Sequence, residues 1–151
     1  MSIEFLDHTA DLGIRVTASN VESLYAQAAT AMMTALVEDP ASITASGTDT
    51  DTIPILLIAP TAEDLLYDWL SEILYRFDGE QFLCASVRDM MLAGVSPTDG
   101  ECTLQATLVG ERFDRTRHQP RREIKAITYC QMTISRNPAT GEWSATWVVD
   151  L

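Results

Sequence analysis

The sequence predicts an α+β fold in which two helices pack on a largely antiparallel, curved β-sheet within a single domain. Two observations carry that expectation. In the first half of the chain, apolar residues recur twice at helical spacing; in the second half, apolar and alternating segments are separated by short turns rich in Gly, Pro, Asn and Asp. With 151 residues and 16.7 kDa, the chain is long enough for one sizeable core and short for two ordinary domains.

The elements follow in order. Short apolar segments at 3–6 and 12–16 flank a polar knot that contains Asp7, His8 and Asp11. Ser19-Asn20-Val21-Glu22 has the spacing of a capping box, which satisfies free backbone donors at a helix start. Val21, Leu24, Tyr25, Ala28, Met32 and Leu36 then place one apolar stripe against a core, and the helix ends near Asp39-Pro40. Residues 42–51 are polar and lead as a loop into a strand at 53–59. A second helix opens at Pro60-Thr61, with Thr61 and Asp64 repeating the box and Glu63 and Asp64 opposing the helix dipole. Leu65, Leu66, Trp69, Leu70, Ile73, Leu74 and Phe77 cover more than one face of it, and Asp78-Gly79 is expected to stop it. Strands follow at 82–93, 102–109, 124–134 and 143–149, separated by turns at 96–100 and 137–141 and by a basic loop at 112–122. Within 102–108, Cys102, Leu104, Ala106 and Leu108 alternate with Thr103, Gln105 and Thr107, giving a core face and a wet face. The Trp, Tyr and Met residues fall on expected core faces.

Composition narrows the function classes. Hydrophobic residues at 46% and charged residues at 21% are the proportions of a globular protein. The longest apolar run, 53–59, has only strand length and contains Pro54, so no membrane span is expected. The start Met1-Ser2-Ile3-Glu4-Phe5 has no basic region before an apolar stretch, and a cytoplasmic protein is expected. Cys84, Cys102 and Cys130 lie far apart without CxxC spacing and read as small buried hydrophobes, which supports neither a disulfide nor a structural zinc site. A formal charge of −12 repels phosphate chains at long range and attracts cations and basic protein surfaces, so no direct sequence-specific nucleic-acid binding is expected. The local exception is the stretch around His118, where Arg112, Arg115, Arg117, Arg121 and Arg122 hold half of the ten positive charges. It is read as a solvated loop balancing an acidic body, with contact to a phosphate or an acidic partner as the alternative.

Chemistry is concentrated at the two ends. Asp7, His8 and Asp11 put three ligand-type side chains within five residues. Carboxylates favour hard cations such as calcium or magnesium, and a histidine beside them widens the choice to zinc or manganese. These residue types are also common in turns. At the other end, Val148-Val149-Asp150-Leu151 closes an apolar strand on an aspartate followed by a terminal carboxylate. If that strand pairs near the N-terminal one, Asp11, Asp150 and the carboxylate of Leu151 converge. Such a gathering of negative groups costs stability unless a cation sits between them.

The segments 5–13, beginning Phe5-Leu6-Asp7-His8-Thr9-Ala10-Asp11, 65–75 around Trp69, 123–129 (Glu123-Ile124-Lys125-Ala126-Ile127-Thr128-Tyr129) and 148–151 resemble, in order, the opening, central helix, late strand and ending of the archeases. The resemblance spans essentially the whole chain. It implies a non-enzymatic protein cofactor that activates an RtcB-type RNA ligase of tRNA splicing or RNA repair, promoting its guanylylation and multiple turnover. It further implies a divalent metal, calcium first and magnesium or manganese otherwise, held by Asp11, Asp150 and the main chain of Leu151. Asp7, His8, His118 and Lys125 are supporting or partner-facing candidates. Cys130 stands where many archeases have a histidine, and the 112–122 loop is richer in arginine than the family pattern. Two other readings stay open: a small metal-dependent phosphohydrolase with His8 or His118 as general base, and a general protein chaperone.

Overall fold

The computed structural model describes residues 1–7, 10–44, 50–95 and 100–151, Asp7 by its backbone. Its strands form two antiparallel sheets. β1 (Ser2–Asp7), β2 (Asp11–Ala18), β7 (Trp143–Asp150) and β6 (Ala126–Arg136) lie side by side in that order. β3 (Asp51–Ala59), β5 (Cys102–Arg112) and β4 (Phe82–Ala93) form the second sheet. Helices α1 (Val21–Leu36) and α2 (Ala62–Glu80) each touch strands of both sheets, and a short α3 (Arg115–His118) follows β5. The expected antiparallel α+β fold is present, with its strands divided between two sheets. Side-chain alternation says which residues turn inward but not which strand lies next door.

The helices are buried on more than one side because they meet both sheets. Leu12, Ile14, Val16 and Ala18 of β2 alternate inward, and register sets Leu12, Ile14 and Val16 opposite Val149, Trp147 and Ala145 of β7. Against them pack Leu24, Tyr25, Met32 and Leu36 of α1 and Leu65, Leu66, Trp69 and Leu70 of α2, all in one hydrophobic cluster. Two buried hydrogen bonds tie the helices together: Trp69 Nε1 donates to the Tyr25 carbonyl, and the Tyr25 hydroxyl donates to the Ala62 carbonyl, both at 2.8 Å. Burial pushes the Tyr25 phenol far above its ordinary range, so it stays a donor.

The caps correct the sequence reading by a residue or two. Asn20, not Ser19, caps α1, its Oδ1 accepting from the Ser23 N–H at 2.8 Å. Asn20→Ala should therefore cost about 1 kcal/mol, seen as a lower urea midpoint at unchanged slope. Thr61 caps α2 as expected, accepting from the Asp64 N–H at 3.1 Å. Gly79 does not stop that helix. Arg76 bridges Glu72 and Glu80 along the last turns, and Gln81, at φ 59°, supplies the left-handed cap.

β6 begins at Ala126 and is interrupted by a bulge between Thr128 and Thr133, with Gln131 at φ 58°. The bulge turns Tyr129 and Cys130 outward. Cys84 and Cys102 are buried as expected, whereas Cys130 is exposed. Tyr129, Tyr75 and Met91 likewise depart from the expectation of core burial.

Candidate functional site

The pairing of β2 with β7 brings the two ends of the chain together. Asp11 stands directly opposite Asp150, and Ala126 of β6 pairs Asp150 from the other side. Alternation turns Leu12 and Val149 into the core, so Asp11 and Asp150 share the opposite face of the sheet. Backbone bonds close the corner. The Leu151 N–H donates to the Ala10 carbonyl at 3.2 Å, and the Lys125 N–H donates to the Asp150 carbonyl at 2.8 Å.

The electrostatics of this corner are unusual. Like charges at directly opposed strand positions repel. Asp11 Oδ1 is buried and, among the described residues, has no hydrogen-bond partner. An orphaned carboxylate oxygen is costly in a protein interior and marks a place for a cation or a donor. Among the described residues, no group of three or more His, Cys, Asp or Glu side chains is arranged to hold a metal ion. A cation here would draw on Asp11, Asp150 and main-chain oxygen. Oxygen-only donors of this kind suit calcium or magnesium and disfavour soft metals.

The remaining candidates are scattered. Lys125 is exposed immediately before β6, one residue from the partner of Asp150. Asp7 ends β1 opposite Leu12, and His8 lies outside the described residues. His118 is only 1% exposed and does not face a partner. Its Nδ1 accepts from the Asp114 N–H at 2.8 Å, which places the ring proton on Nε2, 3.1 Å from Glu111 Oε1. Glu111, 4% exposed, also accepts from Arg117 Nη1 at 2.9 Å, Arg117 Nη2 at 2.7 Å and the Thr44 N–H at 2.9 Å. Arg117, itself exposed, is thus anchored to the buried Glu111 and is not free in solvent.

Sequence reasoning missed that network, because Glu111 continues the wet alternation of β5 and nothing local shows that residues 113–118 fold over it. It also missed an aromatic and acidic cluster on the α2 and β6 surface. Tyr67 and Tyr129 stack with ring centroids 4.1 Å apart and planes 7° from parallel. Desolvation, then a hydrogen bond to Asp64, pushes the Tyr129 phenol up to about 12, and partial burial followed by the Asp64 charge raises Asp68. Only the bulge, which carries no clear sequence signal, turns Tyr129 toward Tyr67.

Comparison with known proteins bears on the whole chain. Residues 3–151 match the model of the Archease protein family (MTH1598/TM1083). The chain is 33% identical to the protein archease of Methanosarcina barkeri (strain Fusaro / DSM 804) over 148 residues, covering 98% of this chain and 94% of the relative. It is 32% identical to the protein archease of Pyrococcus furiosus (strain ATCC 43587 / DSM 3638 / JCM 8422 / Vc1) over 148 residues, covering 98% and 97%. The solution structure of Methanobacterium thermoautotrophicum protein 1598 shares the fold, with a TM-score of 0.73 at 26% identity, covering 99% of this chain and 98% of that one. The chain belongs to the archease family.

Proposed function

We propose that this protein is a non-enzymatic cofactor that activates an RtcB-type RNA ligase in the cytoplasm, promoting the ligase's guanylylation and multiple turnover in tRNA splicing or RNA repair. Family membership supports the activator role. The observation that carries the site is the buried Asp11 Oδ1, without a hydrogen-bond partner among the described residues, on the strand position directly opposite Asp150. Asp11, Asp150 and the main chain of Leu151 would hold a divalent cation, calcium in the first place, with magnesium or manganese also suited to oxygen donors. Such an ion, when bound, supplies positive charge at an otherwise acidic corner, available to phosphate or carboxylate oxygens of a docked partner.

The chain's own residues do the positioning. β2 and β7 hold the two aspartates in register, and the bonds Leu151 N–H to Ala10 and Lys125 N–H to Asp150 fix the strand ends. Lys125 adds a cation next to the aspartates, suited to an acidic group on the partner. Of the two histidines the phosphohydrolase alternative would draw on, His8 lies outside the described residues, and both nitrogens of His118 are engaged within the protein. A general chaperone role has no residue here that argues for it.

The test uses a purified ligase stalled after one round of joining. Adding this chain is expected to restore repeated ligation, and Asp11→Ala or Asp150→Ala to lower the rescue at least about tenfold, a loss of 1.4 kcal/mol or more. Calorimetric titration with calcium should show binding to the wild type and its loss in Asp11→Ala. Full rescue by both variants would defeat the metal-centred reading. Absence of rescue by the wild type would defeat the activator reading.

A further inference from the structure

Half of the positive charge of this acidic chain lies between Arg112 and Arg122, and folding does not spread it evenly. Phe77, Phe113 and Pro120 form the apolar lining of a cleft of about 400 Å³, and Arg115, Arg121 and Arg122 rim it. Among the described residues, Glu123 is the one acid in the lining. The Arg115 guanidinium, exposed, makes no hydrogen bond or ion pair with any described residue, in a protein with more than twice as many acidic as basic side chains. The guanidinium carbons of Arg121 and Arg122 sit 5.9 and 5.2 Å from the Phe5 ring centroid, within cation–π range.

The aromatic floor is held by ring contacts. Phe113 meets the Phe77 ring edge-on with centroids 5.3 Å apart, and its other neighbour is the His118 ring at 5.8 Å and 19°. His118 is in turn fixed by Glu111, which Arg117 clamps through two bonds. The network thereby fixes one aromatic wall of the cleft, and a wall fixed in advance lowers the ordering cost of any ligand that stacks on it.

We propose that this cleft binds a nucleoside phosphate, its base against Phe77 and Phe113 and its phosphate on the guanidinium of Arg115, with Arg121 and Arg122 completing the basic rim. Several features select this class. Planar guanidinium forks match phosphate oxygens, and aromatic faces accept any base. The volume of about 400 Å³ falls in the range of small-molecule sites. A longer phosphate chain is disfavoured, since the acidic Glu123 borders the basic rim and the chain as a whole carries −12. The cleft is built from residues other than the Asp11 and Asp150 pair, so the proposal does not rest on the ligase reading.

Isothermal titration of the full-length protein with GMP, AMP and inorganic phosphate, in a buffer containing EDTA, tests it without ligase or metal. Saturable binding of one nucleotide per chain is expected, with inorganic phosphate weaker by at least about tenfold and Arg115→Ala weakening GMP by a similar factor. Arg115 is exposed, so the melting curve of that variant should match the wild type. Undetectable nucleotide binding, or GMP binding unchanged in both Arg115→Ala and Arg122→Ala, would overturn the proposal. So would a single-stranded RNA oligomer that binds much more tightly than GMP, which would make the cleft part of a strand-binding track.

Discussion

Gly110→Ala is expected to destabilise the protein by about 3 kcal/mol or more, enough to leave much of it unfolded, because overpacking against rigid backbone is among the few routes to so large a loss. A Cβ at Gly110 would run into the carbonyl oxygen of Leu83 and lie 2.6 Å from Phe82 Cζ. Gly110 pairs Cys84, where the β4 register shifts before Ser86, so the neighbouring strand crosses closely just where β5 has no side chain. The obstacle is main chain and cannot rotate away. Urea denaturation and soluble yield measure the effect, and a midpoint equal to wild type would show that β4 can move aside cheaply.

The second large effect is expected at Glu111. Glu111→Ala removes the acceptor for Arg117, His118 and the Thr44 N–H, and stranding such partners costs about 3–5 kcal/mol. In the wild type, the Arg117 hydrogen bonds, opposed by burial and reinforced by His118 and the Thr44 N–H, hold the Glu111 carboxyl at about 2, below its usual 4.5. A depressed carboxylate stabilises the fold above its unfolded value, and that contribution fades as pH falls from 4.5 toward 2. Its size is on the order of 3 kcal/mol at neutral pH. The urea midpoint gap between wild type and Glu111→Gln should therefore be widest at neutral pH and shrink through that acid window. A gap independent of pH would show that Glu111 is not ionised in the folded protein.

Both effects involve features that sequence patterns describe poorly. The helices were legible because their signals are local: apolar spacing in α1 and α2 and the Thr61 cap act within a few residues. The alternation of β5 was legible for the same reason. Gly110 and Glu111 were not, since each takes its role from segments distant in the chain: the β4 backbone for one, Thr44 and residues 117–118 for the other. The Asp11 and Asp150 pair falls between these cases. Each aspartate stood out by its place at the end of an apolar segment, but their meeting depended on which strands pair.

By itself, the sequence determined the fold class, the helix positions, most of the core and the two acidic ends as places of interest. Local spacing decides which side a residue faces, and that information is complete within a turn or a strand. The tertiary structure alone decided that the strands form two sheets, that β2 and β7 set Asp11 against Asp150, and that Asp11 Oδ1 is left buried without a partner among the described residues. It also decided that His118 is enclosed and Tyr129 exposed at 55%, against the reading of each from its neighbours in sequence. The reason is physical. Burial and pairing across the fold are set by the packing of the whole chain, and a stretch of residues carries no record of what will cover it.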